Sequence, residues 1–200
     1  SGCRIHEEKF LLDWEKRFKK LEKIVNKFKN KNFYDCIVPI TGAKDSFFIL
    51  DVVKNKLGLN PLLVNYNIHH NTLNGLRNIG LLRTLFDCDY IQKTVEPNKI
   101  RKINQITFEK FGSIYWHVLA GSTAFPVQIA TKYKIPLIIW GVHQGCDQVG
   151  MFSHLDEVEM TRKYRKEHDL MGFEAENLLE MSNDLTENDL LNYYYPSNKD

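Results

Sequence analysis

No run of about 18 apolar residues interrupts the 200-residue sequence, and no basic, apolar and small-residue signal opens it. Membrane insertion is therefore not expected, and a cytoplasmic location is. Cysteine is sparse: Cys3, Cys36, Cys88 and Cys146 are scattered without the spacing of a disulfide framework, as reduced thiols are. Charge of one sign is missing too. Lys and Arg number 27 against 25 acidic residues, leaving a formal net charge of +2, too balanced for a protein whose main task is gripping a nucleic-acid backbone. A nucleic-acid partner is not favoured. Internal repeats and low-complexity tracts are absent, and an opening on Ser1 rather than methionine is expected of a trimmed chain or fragment.

What is present is an ordinary globular composition, 43% hydrophobic and 26% charged, long enough for one substantial core with short flanking arms. The charge is segregated. Residues 7–31 carry nine bases and five acids, Arg162, Lys163, Arg165 and Lys166 form a second basic cluster, read as a solvated helix face in preference to a contact for an anionic partner, and residues 167–200 hold nine acids against Lys199.

Phe10, Leu11, Trp14, Phe18, Leu21, Val25 and Phe28 recur at helical spacing, so residues 1–32 read as an N-terminal amphipathic arm whose apolar face needs something to cover it. Residues 33–40, 62–66, 90–95 and 137–140 are short, apolar and rich in strand formers. Helical stretches separate them, over 47–57, around 76–86, over 100–111 and over 121–133. Continuous apolar strands alternating with helices predict a doubly wound α/β domain with a parallel sheet, spanning residues 33–150. Residues 151–200 read as a C-terminal helical, acidic segment.

In such a sheet, ligands bind beyond the carboxyl ends of the strands, where strand order reverses. Three segments should meet there. The first, Thr41-Gly42-Ala43-Lys44-Asp45-Ser46, puts small residues and hydroxyls where a strand hands over to a helix, so backbone N–H groups face an anion. It fits neither G-x-x-x-x-G-K-[ST], since Lys44 is followed by Asp45, nor G-x-G-x-x-G. Asp45 beside phosphate is repulsive unless it binds Mg2+ or caps the helix; a capped helix end with no ligand is the plain structural alternative.

With Pro39 and Ile40 in front of it, this segment resembles the S-G-G-x-D-S loop of the PP-loop ATP pyrophosphatases. The resemblance implies a Rossmann-like fold and cleavage of ATP to AMP and pyrophosphate. It gives Thr41 and Ser46 hydroxyls to the pyrophosphate, Gly42 to Ser46 a cradle of amides, and Lys44 and Asp45 a place in the chemistry, with Asp45 on Mg2+. Ala43 departs from the family, which has glycine there. If position 43 needs a left-handed backbone, its Cβ costs about 1–2 kcal/mol.

A resemblance over more of the chain is carried by the opening Cys3-Arg4-Ile5-His6, by Trp14, by Tyr34-Asp35-Cys36-Ile37-Val38 and by Ile135-Pro136-Leu137-Ile138-Ile139-Trp140-Gly141. These segments are similar to the N-acetyl sugar amidotransferases. That family implies conversion of an acetamido group on a surface-polysaccharide or flagellar-glycan sugar, or its sugar nucleotide, to an acetamidino group. ATP and Mg2+ are its implied cofactors, and a separate glutaminase subunit its implied source of ammonia. Cys3 stands where the family often begins a zinc knuckle, and no ordered zinc is expected here.

The second segment brings Asn65, Tyr66 and Asn67 near adenine and ribose by position, and then His69 and His70, which are candidates for substrate binding or for solvated loop residues. Gly121-Ser122-Thr123 is expected at a helix start, as a second set of phosphate donors or as an ordinary N-cap. The third segment, Gly141 onward, carries His143, Gln144 and Asp147 as candidate catalytic residues beside Cys146; a thiol activated by His143 is one reading of it, weakened by the lack of a resolving cysteine. Two rival readings remain: a PP-loop tRNA-modifying enzyme, and a catalytically impaired nucleotide-binding module.

Overall fold

The computed structural model of the chain describes residues 7–141 and 160–197. After a 3-10 turn, Glu8–Leu11, the elements in order are α1 (Trp14–Val25), β1 (Cys36–Pro39), α2 (Lys44–Leu50) continued by a π-helical stretch (Asp51–Lys56), β2 (Pro61–Tyr66), α3 (Leu73–Phe86), β3 (Tyr90–Lys93), α4 (Pro97–Phe111), α5 (Trp116–Tyr133), α6 (Arg162–Tyr164) continued by a π-helical turn (Arg165–Asp169), α7 (Ala175–Met181) and α8 (Glu187–Leu190). None of the described helices is long and apolar enough to cross a membrane.

The strands are short because each is a hydrophobic run cut off by a turn signal, and all of them run parallel. Leu62 of β2 registers with Ile37 of β1, and Leu63 with Tyr90 of β3. On the free side of β1, Ile37 donates its N–H to the Leu137 carbonyl and accepts from the Ile139 N–H, both at 2.9 Å, in a parallel bridge to Ile138. Residues 137–139 thus lie beside β1 where a fourth strand over 137–140 was expected, joined by a single bridge and not by a full strand, and the spatial order is β3, β2, β1, then 137–139.

Alternation along each strand divides the core into two layers. Ile37, Leu62, Val64 and Tyr66 face α4 and α5, together with Leu170, Leu178, Leu190 and Tyr193 from the C-terminal segment. Cys36, Val38 and Leu63 face α2 and α3 with Leu50, Val53, Ile79 and Leu82. Each such aliphatic side chain, withdrawn from water, contributes roughly 1.5–3 kcal/mol. Helices joining β1 to β2 and β2 to β3 cover one face, and those leading to residues 137–139 cover the other. This is the doubly wound α/β fold expected from the sequence. Burial pushes the Cys36 thiol up to about 12 and raises that of Cys88, so both behave as small apolar side chains.

Three details differ from the sequence expectations. Only the second half of the arm packs: α1 is capped by Asp13, whose carboxylate accepts from Lys16 N–H at 2.9 Å, and Val25 is buried with Phe18 and Leu21 against it. Leu11 is 84% exposed. Helix α5 begins at Trp116, five residues before Gly121, because Trp116 Nε1 donates to the Phe173 carbonyl at 2.7 Å and its ring is buried there. The basic cluster near residue 165 is not one solvated face, since Arg165 is 1% exposed.

A capping box closes the C-terminal segment: the Asp189 carboxylate accepts from Lys102 Nζ at 2.8 Å and from Thr186 N–H at 3.0 Å. The Lys102 hydrogen bond, with those from Thr186, holds the Asp189 carboxyl down at about 2, against its ordinary 3.8. The folded value lies below the unfolded one, so this contribution to stability is present above about pH 4 and is lost as pH falls toward 2. Lys102→Met should move the Asp189 carboxyl upward and flatten that part of the acid-unfolding profile, read by carboxyl NMR titration. A Lys102→Met titration matching that of the parent protein would contradict this assignment.

Candidate functional site

The chain crosses the sheet one way from β1 and then returns to the other side of it, so the reversal falls between β1 and residues 137–139. A cavity of about 460 Å3 opens there, within the usual range for small-molecule sites of about 300–1,000 Å3. Its floor includes Ile40, Val64 and Trp140, its near rim Thr41, Asp45 and Ser46, and its far wall Ser122, Thr123, Tyr164 and Asp169. A cavity of about 500 Å3 between α4 and residues 182–184 lies away from the strand ends and is ringed by Lys102, Glu109, Lys110 and Asp184. Lacking an apolar floor and a strand terminus, it is the weaker candidate.

Side chains from three elements hold the loop after β1 in place. Asn65 Nδ2, on β2, donates to the Ile40 carbonyl at 2.7 Å, and Asn65 Oδ1 accepts from Gln92 Nε2 at 2.9 Å. Ser46 Oγ, on α2, accepts from Thr41 N–H at 3.1 Å. Asn78 Nδ2, on α3, donates to the Gly42 carbonyl at 2.9 Å. Gly42 has φ +79°, and a Cβ there would fall 2.7 Å from the Gly75 carbonyl oxygen, so this position requires glycine. Ala43 does not, because its backbone is extended, with φ −80° and ψ 169°. The strain conditionally expected at Ala43 is absent; the left-handed residue is the one before it.

The first amides of α2 have no preceding helical turn to bond and point outward at a positive helix end. Ser46 Oγ has spent its acceptor on Thr41 and keeps its O–H for donation, while Thr41 Oγ1 makes one long contact, 3.5 Å from Ala43 N. Lys44 is exposed and pairs with its neighbour, Nζ to Asp45 Oδ1 at 2.6 Å; it does not line the cavity, and Asp45 does. Asp45 is not the helix cap, since that position is Ala43 with no side-chain cap. Among the described residues no group of three or more His, Cys, Asp or Glu is placed to hold a metal ion. Asp45 is the carboxylate on this rim of the cavity, one oxygen-bearing side chain and not a protein cage for a metal.

The remaining expected site residues divide. Asn65 and Tyr66 line the cavity, yet both amide ends of Asn65 are engaged within the sheet, and Tyr66 Oη lies 2.9 Å from Tyr193 Oη and 3.4 Å from His117 Nδ1. They shape the wall. Asn67 is not in the lining: its Oδ1 accepts from His69 N–H at 3.0 Å and its Nδ2 donates to Thr94 Oγ1 at 3.2 Å, which organises the following loop, whose Ile68 and Asn71 do line the cavity. Neither His69 nor His70 lines the cavity; burial, with their proximity, holds the His117 imidazole down at about 4, so it is neutral.

Gly121, Ser122 and Thr123 lie inside α5, a correction to their expected place at a helix start, and their N–H groups belong to the helix. Gly121 makes room for the Tyr66 ring, which any Cβ there would strike, and Ser122 and Thr123 reach the cavity by their side chains. Gly141 is at its edge. His143, Gln144, Cys146 and Asp147 lie outside the described residues, as does Cys3. The sequence reading missed Asn78 and Gly75, whose signal was their spacing of three on α3, one turn apart and facing the loop. It also missed Tyr164 and Asp169, which no motif marked.

The two glycine-loop positions should respond oppositely to simple exchange. Gly42→Ala is expected to lower stability by about 1–2 kcal/mol or more and to weaken ATP-analogue binding. Ala43→Gly should cost about 0.4–1 kcal/mol through the freer unfolded chain and leave nucleotide affinity unimproved. Thermal unfolding and titration calorimetry check both; tighter binding in Ala43→Gly would contradict the assignment.

No family model and no curated protein matches the chain. Among solved structures it is similar to an NH3-dependent NAD synthetase from Campylobacter jejuni subsp. jejuni NCTC 11168, with a TM-score of 0.53 and 13% identity over 71% of this chain and 62% of that one. The chain therefore spans less than two thirds of that synthetase. A predicted subunit of tRNA methyltransferase from Methanocaldococcus jannaschii DSM gives a TM-score of 0.38 and 19% identity over 73% of this chain and 72% of that one. At 13% identity, the likeness to the synthetase establishes the fold alone: a parallel α/β sheet wound on both faces.

Proposed function

We propose that this chain is an ATP-dependent amidotransferase of the PP-loop type, which activates the carbonyl oxygen of an acetamido group on a sugar and replaces it by ammonia. The observation that carries the reading is the tethered turn from Thr41 to Ser46, with its glycine at φ +79°, opening onto a cavity that extends beyond it. Outward amides of Gly42 to Asp45 and the hydroxyls of Thr41 and Ser46 hold a pyrophosphate group. Asp45 is the residue that would meet a nucleotide-bound Mg2+, which would offset charge on the phosphate oxygens. The apolar floor of Ile40, Val64 and Trp140 keeps water from the reacting carbon, which matters because water competes with ammonia.

The atoms balance. The amide oxygen bonds to the α-phosphorus of ATP as the α–β phosphoanhydride bond breaks and pyrophosphate leaves; ammonia then bonds to the activated carbon, the carbon–oxygen bond breaks so that the oxygen leaves on AMP, and loss of a proton to solvent gives the amidine. The synthetase of similar fold is NH3-dependent by its name, in keeping with ammonia as the nucleophile. The sugar rests on the likeness of residues 34–38 and 135–141 to the N-acetyl sugar amidotransferases, as does a partner glutaminase. The proposed place of work is the cytoplasm, where ATP and sugar nucleotides are available.

Pyrophosphate release measured with ATP, Mg2+, ammonium and a panel of acetamido sugars tests the reading. Release should require one of the sugars, and Thr41→Ala or Ser46→Ala should lower it about tenfold, the worth of a hydrogen bond to a charged group. Release that depends on tRNA instead of sugar, or ATP binding without turnover under all conditions, would contradict it.

A further inference from the structure

Charge is divided between the two ends of the chain, and the site at the strand ends uses neither. On α1, Lys16, Lys19 and Lys23 recur at spacings of three and four, so they share one side of the helix. That side is opposite Phe18, Leu21 and Val25, which pack against the α2 and α3 layer. All three lysines are exposed, and Leu11, in the turn that leads into α1, is 84% exposed. An apolar side chain beside a basic helix face is complementary to a groove with an apolar floor and an acidic rim.

Such a groove lies at the other end of the chain. It measures about 610 Å3 and runs between α7 and α8, with Leu179, Leu191 and Tyr194 as its apolar part and Glu176, Glu180 and Glu187 around them. Leu191 is 63% exposed. Glu176 Oε1 lies 3.9 Å from Arg162 Nη2, whereas among the described residues Glu180 and Glu187 have no ion pair. Burial, with Glu187 and Glu176 close by, raises the Tyr194 hydroxyl above its ordinary 10, so carboxylates from α7 and α8 face one ring. Like charges gathered round one apolar floor repel one another, and an incoming cation relieves that repulsion.

The two surfaces belong to opposite faces of the sheet. Helix α1 rests on the layer with α2 and α3, while Leu179 and Tyr194 pack on the layer with α4 and α5. The sheet stands between them, so the arm of one molecule does not fill its own groove. We propose that the acidic groove between α7 and α8 binds the basic arm of a second copy of this chain, Leu11 covering Leu191 and the lysines facing Glu180 and Glu187. A contact between two different patches joins copies head to tail. With so small an apolar centre it is weak and salt-sensitive. It does not draw on the amidotransferase reading and stands or falls apart from it.

Sedimentation velocity of the full chain over a range of concentrations tests the contact. In about 50 mM salt the protein should pass from monomer to larger species as concentration rises, and the apparent dissociation constant should weaken about tenfold in about 300 mM salt. The groove variant Glu180→Lys with Glu187→Lys, and the arm variant Lys16→Glu with Lys19→Glu, should each remain monomeric. Mixed in equal amounts they should associate again, because one carries an intact arm and the other an intact groove; that recovery also shows both to be folded. Leu11→Ser should weaken association about tenfold with every charge kept. A parent protein that stays monomeric at about 0.5 mM, the result expected if the groove serves a basic segment of another protein, would overturn the inference. Association that survives either pair of reversals, or a mixture that does not associate, would overturn it as well.

Discussion

Three hydrogen bonds at the carboxyl end of β1 set the geometry on which the rest depends. Asn65 fixes the Ile40 carbonyl, Ser46 takes the Thr41 amide, and Asn78 donates to the Gly42 carbonyl, so β2, α2 and α3 each hold one point of the turn from Ile40 to Ser46. Held at three points, the turn is fixed against the sheet and α3, and the first amides of α2 have no preceding helical turn to bond. Its left-handed residue sits where the α3 backbone passes closest, and only a side chain of one hydrogen fits between them. Loop, sheet order and helix packing are in this sense one constraint.

The sequence made most of the fold legible, for reasons specific to its segments. Runs such as residues 62–66 are apolar on both faces, which only a sheet covered on two sides explains, and Gly58 with Asn60-Pro61 and Asp87 with Asp89 mark the breaks. The fourth strand is recognisable from Leu137 to Trp140 even though its pairing reduces to a single bridge. The start of α5 was not legible, because Gly121-Ser122-Thr123 looks like a cap and the true start, Trp116, is set by a tertiary contact to Phe173. The exposed half of the arm was hidden for a related cause: periodicity shows which residues share a helix face and says nothing of how much of that face is covered.

For the site, the turn after β1 does rim the cavity at the strand ends, while the sequence misjudged which of its residues carries the unusual backbone. Family pattern drew attention to Ala43, yet the strained position is Gly42, and Ala43 is extended. Asn65 and Tyr66 stand where expected, but their polar atoms serve the protein. The far wall was invisible in the sequence because Arg165 reads as one of four clustered bases. Burial against Glu174, 9 residues away, and Thr123, 42 residues away, turns it from a surface charge into the structural centre of that wall. Such pairing depends on where the chain returns, and no local signal carries it.

The most direct test of the central claim is an amide NMR titration of the 15N-labelled chain with magnesium pyrophosphate. The account predicts saturable shifts confined to Gly42, Ala43, Lys44, Asp45 and their neighbours, with the Asn67 and Asp189 amides unmoved. Shifts spread evenly over exposed lysine-rich segments, or none in the turn after β1, would contradict it.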